Sequence, residues 1–354
     1  MMLNKLFGSN KIIPSNHEPY FRSLLSANHK TVYDTLVTGI KACQDKIQIA
    51  NTAKKDLLAI FVSILKDYPI IFYTTKYQWT TTTSSPTMLF EPEYLYDKNT
   101  IKKYTDTIQN YLKNFDRAKN MNDYEKELFV HDYCLKNFTY DYNFSESSYS
   151  AHGLVLYKTA VCEGIAEFTK LALDYLGVPC LVVYGRGTDP TGKSKTESHA
   201  WNIVEIGGKT YHLDVTYDMT TKDKRNRYDY FNLTDTDIKK DHIIEDKVPT
   251  CNTTTDNYLS KNNMIVNKLS ELDAHLTKHL RTGNKTVMFK LLNERFSNKL
   301  VDNILEIATQ TYLNIYKGSV SASAIYNSNQ MVFEIEFKDS GNRYLKSSSN
   351  SKIE

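Results

Sequence analysis

The sequence predicts a mixed α+β chain that contains both helices and strand hairpins. Two observations carry this. Apolar residues recur at spacings of three and four through 20–65, 101–112, 124–137 and 162–176, which is the period of a half-buried helix. Runs rich in β-branched and aromatic residues, broken by turn residues, lie within 70–96, 199–214 and 286–337, and these read as strands.

Taken in order, the first helical stretch holds Leu24, Leu25, Val32, Leu36 and Val37. A second holds Leu57, Ile60, Phe61 and Ile64, and Pro69 stops it. Residues 70–79 read as a strand, 80–85 as a polar loop and 87–96 as the returning strand. Helices at 101–112 and 124–137 follow. Near the end, 286–291 reads as a strand, 299–312 as a helix, and 313–325 and 331–337 as strands joined by a turn at 327–330. With a short strand at 46–49, both ends of the chain show a strand-helix-strand-strand order. The polar tail 347–354 is expected to fray.

Charge and composition exclude several classes. The 354 residues carry 44 basic and 41 acidic side chains, a formal charge of +3, too little to generate the field that binding nucleic acid or an anionic membrane requires. No apolar run approaches the roughly 18 residues of a membrane span, and residues 1–10 lack the apolar stretch of about 7 that a signal peptide needs. The expected location is therefore cytoplasmic, with no nucleic acid and no membrane as partners. Cys43, Cys134, Cys162, Cys180 and Cys251 are odd in number and never form a Cys-x-x-Cys pair, which argues against a disulfide framework and a structural zinc site. No metal and no cofactor is expected.

Glycine marks the region of interest. Of 13 glycines, Gly153, Gly164, Gly177, Gly185, Gly187, Gly192, Gly207 and Gly208 crowd into one window, where backbone turns tightly or approaches other groups. Within it, Ile165, Phe168, Leu171, Ala172, Tyr175 and Leu176 form one helical face, Gly177 suits a left-handed end and Pro179 prevents continuation. Cys162 thus stands at a helix N-terminus, where unpaired N–H groups and the helix dipole favour a thiolate. A free cysteine is more often simply buried, so the case needs a partner.

The partner comes from the segment after it. Two alternating runs meet at Gly207-Gly208, a strong hairpin signal. If these two glycines are the loop, Ile206 pairs with Lys209, Trp201 faces Asp214 and His199 faces Thr216. His199 and Asp214 then share a face as diagonal neighbours. Each alone is a common packing or capping residue. Together with Cys162 they supply a nucleophile, a base and a residue that orients the base.

These residues resemble a family. The cysteine helix, His199-Ala200-Trp201-Asn202, Gly207-Gly208 and Tyr211-His212-Leu213-Asp214-Val215-Thr216-Tyr217-Asp218 are similar to the bacterial transglutaminase-like cysteine enzymes, relatives of papain in fold. The likeness takes in Ala151-His152-Gly153-Leu154, Val161-Cys162-Glu163-Gly164 and Leu176-Gly177-Val178-Pro179-Cys180, and continues through Tyr230 to Asp235 and Lys240-Asp241-His242. It implies an α+β core with the cysteine helix packed on an antiparallel sheet, flanked by smaller α/β regions, and the catalytic triad Cys162, His199 and Asp214. Three parts are expected along the chain: 1–98, a helical and hairpin region; 99–262, the catalytic core; and 263–354, an α+β domain.

His152 departs from the pattern, which has an aromatic, commonly Tyr, at that position. Backbone N–H groups at Cys162 are the first candidates for an oxyanion site, with His152 and Tyr149 as side-chain candidates. Packing is the commoner role for His152, and Trp201 stands between lining the acyl site and filling the core. His212 shares the face but has no Cys or His at metal-binding spacing, and His275 with His279 lacks a third ligand. The charged run 218–241 reads as a solvated loop, and 188–197 as a flap over the cleft.

The expected chemistry is attack of the Cys162 thiolate on an amide carbonyl of a protein or peptide, giving a thioester. Water as acceptor makes a peptidase or amidase, the preferred reading, and an amine makes a crosslinking acyltransferase. A non-catalytic module that kept the fold competes, although no triad residue is lost. A deglycosylase of the peptide N-glycanase type is disfavoured by the missing Cys-x-x-Cys pairs. The flanking regions are expected to bind the substrate or a partner.

Overall fold

A computed structural model describes residues 18–81, 85–188, 196–221, 227–316 and 318–339. The expected frayed tail and most of the expected flap lie outside these residues, as do Lys222 to Arg225 of the charged run.

The described chain divides into two compact units, one made of the described residues within 18–187 and 196–253, the other mainly of those within 254–339. The first unit opens with helix α1 (Ala27–Lys41), strand β1 (Ile47–Ala50), helix α2 (Lys54–Asp67) and strands β2 (Thr74–Thr81) and β3 (Thr87–Tyr94). Their sheet runs β1-β3-β2, all antiparallel. Strand β2 starts later than the expected 70 because Ile70, Ile71, Phe72 and Tyr73 are all buried in consecutive positions, which a half-buried strand's alternation does not allow. They form turns instead.

Helices α3 (Lys98–Leu112) and α4 (Asp123–Asn137) follow, the latter fixed by a reciprocal capping box between Asn122 and Glu125. After the short helix α5 (Ala151–Tyr157) comes α6 (Cys162–Tyr175). It ends through Gly177, whose φ of 79° only a glycine adopts without strain.

Strands β4 (Cys180–Gly187), β5 (Glu197–Ile206) and β6 (Lys209–Leu213) lead into helix α7 (Val215–Thr221) and strand β7 (His242–Ile244). The sheet order is β6-β5-β4-β7, antiparallel throughout. Ile206 pairs with Lys209 and Asn202 with Leu213, the register the two-glycine loop demands. Helix α6 packs on one face, where Ala166, Val182 and Ala200 form a buried cluster and Asn202 donates from Nδ2 to the carbonyl of Ala166 at 2.9 Å.

The second unit contains β8 (Ile265–Val266), α8 (Leu272–Leu280), β9 (Thr286–Leu291), α9 (Asn298–Ile315), β10 (Val320–Asn327) and β11 (Val332–Asp339). Its sheet runs β8-β9-β11-β10. The strand-helix-strand-strand order recurs as expected, and in both copies the first strand pairs with the third and the third with the second. Helix α9 continues to Ile315 where a strand was expected from 313. Ala308, Thr311 and Tyr312 keep its buried face at helical spacing. No described helix is long and apolar enough to cross a membrane.

Candidate active site

The start of α6 delivers Cys162 to the sheet. Val161 occupies the N-cap in an extended conformation and makes no side-chain capping bond, so the first N–H groups of the helix keep their anion-favouring character. Cys162 is partly exposed, unlike Cys134, Cys180 and Cys251, which are buried. Cys43 is partly exposed too.

His199 lies near the start of β5, buried beneath the ring of Trp201, which stacks on it at 5.9 Å and 16°. Its Nε2 meets Asp214 Oδ2 at 2.6 Å, and the imidazole also interacts with Cys162. With Nε2 committed to the aspartate, Nδ1 is the nitrogen left for the thiol. The structure therefore brings together the three residues expected from the sequence. Burial alone would lower the imidazole pKa, but the charge and hydrogen bond of Asp214 and the contact with Cys162 outweigh it and raise the value to about 10.

Asp214 arrives by a different route from the expected one. Strand β6 stops at Leu213, so the aspartate faces no residue across the hairpin. It precedes α7, and its Oδ1 accepts the N–H of Tyr217 at 2.9 Å, the bond of a helix N-cap. The capping and orienting roles, alternatives in the sequence, are held by one carboxylate. Although burial raises its pKa, the charge of His199 and hydrogen bonds from His199 and His242 hold Asp214 well below the usual carboxylate range.

A second histidine was not read as part of the site. His242 Nε2 also meets Asp214 Oδ2, at 3.0 Å, and its Nδ1 meets Asp241 Oδ1 at 2.7 Å. Tyr230 donates its hydroxyl to the other Asp241 oxygen at 2.7 Å. The adjacent Asp241-His242 pair was the available signal, but nothing local ties it to the hairpin.

The remaining candidates separate. His152 lies between Phe72, stacked at 4.5 Å, and Tyr104 at 4.2 Å, with Tyr96 at its edge; this is the packing role. Tyr149 is exposed and interacts with Tyr140, which in turn interacts with Cys162. Trp201 is 1% exposed and donates from Nε1 to His212 Nδ1 at 3.0 Å. His212 Nε2 meets Asp235 Oδ1 at 2.9 Å.

Among the described residues, two sets of ligand-type atoms lie within 4.8 Å of one another: His199, Asp214 and His242, and His212, Asp235 and Cys251. Both are hydrogen-bonded constellations. Because Trp201 donates to Nδ1 of His212, the hydrogen-bond network puts the ring hydrogen on Nε2, which is then a donor to Asp235 and has no lone pair for a metal. In the first set two imidazoles converge on one carboxylate oxygen, the pattern of two N–H donors.

Residues 110–215 match the family model of the transglutaminase-like superfamily, and Cys162, His199 and Asp214 all fall inside that span. Residues 110–215 are a transglutaminase-like domain. Solved structures similar to the chain include a TGase, at 14% identity over 51% of this chain and 53% of that one, with a TM-score of 0.30. Another is a candidate cysteine protease from Cytophaga hutchinsonii, at 14% identity over 40% and 61% of the two chains, with a TM-score of 0.24. The chain thus spans between half and two thirds of these neighbours, and likenesses so distant bear on none of the site's chemistry. No curated protein matches the chain. Asp241 and His242 lie beyond the matched span of the transglutaminase-like domain.

Proposed function

We propose that this protein is a cysteine-dependent amidohydrolase acting on protein or peptide amides through a Cys162 thioester. The observation that carries the reading is the array in which Asp214 holds Nε2 of His199 while that imidazole interacts with Cys162 at the start of α6. The Cys162 thiolate attacks the amide carbonyl carbon, and the C=O pair moves onto oxygen, towards the uncapped N–H groups of α6. His199 gives its proton to the departing nitrogen, the C–N bond breaks, and the thioester remains. Water then gives a proton to His199 and its oxygen to the acyl carbon. Cys162 leaves as thiolate, and the carboxylic acid is released.

Transfer to an amine shares every step up to the thioester and differs only in the acceptor. Water requires no binding site of its own, which favours hydrolysis. The deciding assay supplies a glutamine-containing peptide with and without a fluorescent amine. Ammonia and the glutamate peptide are expected in both, with little fluorescent product. Dominant fluorescent product would assign the enzyme to acyl transfer, and no ammonia under either condition, across a panel of such peptides, would remove the glutamine-amide reading.

A further inference from the structure

The two histidines on Asp214 reach each other across a strand that has been emptied for them. Strand β4 separates β5 from β7, and its Gly185 pairs with His199 while its Gly187 pairs with His242. A Cβ at Gly187 would stand 2.3 Å from the Tyr217 hydroxyl, and one at Gly185 would stand 2.9 Å from the Trp201 ring as well as 2.1 Å from the carbonyl of Ile243. Neither position tolerates a side chain without movement. The space is filled by rings: His242 lies 5.2 Å from His199, 4.5 Å from Tyr217 and 5.1 Å from Trp201, centroid to centroid. The side chains of Asp214, Asp241 and His242 are wholly buried.

We infer that His242 is a positioning residue for the cysteine–histidine pair: its Nε2–H shares the Asp214 oxygen with His199, fixing the carboxylate and limiting its hold on the His199 proton. This rests on the reading of Cys162, His199 and Asp214 as the catalytic array. A carboxylate oxygen that accepts two N–H donors is a weaker base towards each than one that accepts a single donor. Asp241 fixes the orientation of the His242 ring from behind through Nδ1, and Tyr230 fixes Asp241 in turn. The consequence is graded control. Asp214 must hold His199 firmly enough to orient it and keep it protonated beside the thiolate, yet loosely enough for the proton to go to the leaving nitrogen.

The titratable groups facing His242 come from every neighbouring element: His199 on β5, Asp214 and Tyr217 at the start of α7, Tyr230 from the loop after it and Asp241 from its own segment. Cys162 lies beyond His199, and His212 lies behind Trp201. Removing the His242 donor strengthens the hold of Asp214 on His199. The direction of the effect is therefore fixed.

The test is the pH dependence of Cys162 alkylation by iodoacetamide, followed by mass mapping. The wild type should show a low-pH plateau from the thiolate–imidazolium pair and a second step where His199 loses its proton. His242→Phe alone would take one partner from the buried Asp241 carboxylate, so it is made together with Asp241→Asn, and a thermal melt verifies the fold. The second step should move up by about one pH unit in this variant, and His242→Gln, which keeps an N–H donor, should restore part of the shift. An unchanged or lowered step in a folded variant overturns the role of His242 and leaves the triad intact. Loss of the low-pH plateau from the wild type itself would instead remove the triad reading, and the inference with it.

Discussion

Two histidines flank Trp201 on one face of the same sheet, and each gives Nε2 to an aspartate, His199 to Asp214 at 2.6 Å and His212 to Asp235 at 2.9 Å. They hold protons in opposite ways. Burial takes His212 down to about 4 despite Asp235, whereas Asp214 and Cys162 overcome the same penalty and take His199 up to about 10. Asp235 is a quarter exposed and Asp214 is wholly buried, so the second carboxylate acts through less solvent. The other ring nitrogen differs as well. At His212 it accepts the Trp201 N–H and cannot take a proton without losing that bond, while at His199 it has no such donor and is left for the thiol. A buried histidine–aspartate pair is thus no mark of catalysis by itself; the partner of the second nitrogen decides.

Breaking the His199 side should have the largest effect. Cys162→Ala should abolish amide turnover, a loss on the order of 10⁴-fold or more, with the melting temperature unchanged. Asp214→Asn keeps an oxygen for the Tyr217 N–H, so the cap survives while the charge on His199 is lost. Turnover should fall by on the order of 10³- to 10⁴-fold, as expected where the orienting carboxylate is neutralised. A fall of less than tenfold would place the orienting charge elsewhere.

The His212 side should behave oppositely. His212→Phe leaves the buried Trp201 N–H without its partner, while the Asp235 oxygen keeps the Cys251 N–H, and a buried group left unpaired costs about 1–3 kcal/mol. Urea denaturation should show this cost, with turnover changed by less than about threefold. A collapse of turnover in a folded His212→Phe protein would erase the distinction between the two sites.

The smallest effect is in the pH dependence of stability. His212 has a folded pKa near 4 against about 6.5 in an unfolded chain, so its contribution is full above 6.5 and is lost as pH falls towards 4. His199 has the opposite sign. Its raised value gives a contribution that is full below about 6.5 and is lost as pH rises through about 10. Denaturation across pH should therefore show the acid loss flattened in His212→Phe and the alkaline loss flattened in His199→Ala.

Much of this site was legible in the sequence because local rules set it. Two adjacent glycines fix a two-residue loop, and that loop fixes which residues of β5 and β6 face each other. The start of α6 followed from its apolar period, with Gly177 and Pro179 at its end. What was not legible depended on longer reach. Asp214 was expected on the strand because the helix that follows it lies at the start of a charged run that read as loop. His242 is 28 residues from Asp214 and reaches it across β4, with no hairpin to set the register. The clearance at Gly185 and Gly187 has meaning only once Trp201 and Tyr217 are placed. The repeated strand-helix-strand-strand order was visible at both ends, but strand 313–325 was not separable from a helix whose apolar period continued to Ile315.

The most direct measurement is the reactivity of Cys162 towards iodoacetamide between pH 5 and 10 in wild type and His199→Ala. Burial raises Cys134 and Cys251 to about 12, Cys180 well above the ordinary thiol value, and Cys43 upwards as well, so labelling near neutral pH reports Cys162. The predicted result is rapid labelling of wild type well below the free-thiol pKa of about 8.5, and its loss in the variant. Equal labelling of the two proteins across that range would contradict the pairing of Cys162 with His199 on which the proposed chemistry stands.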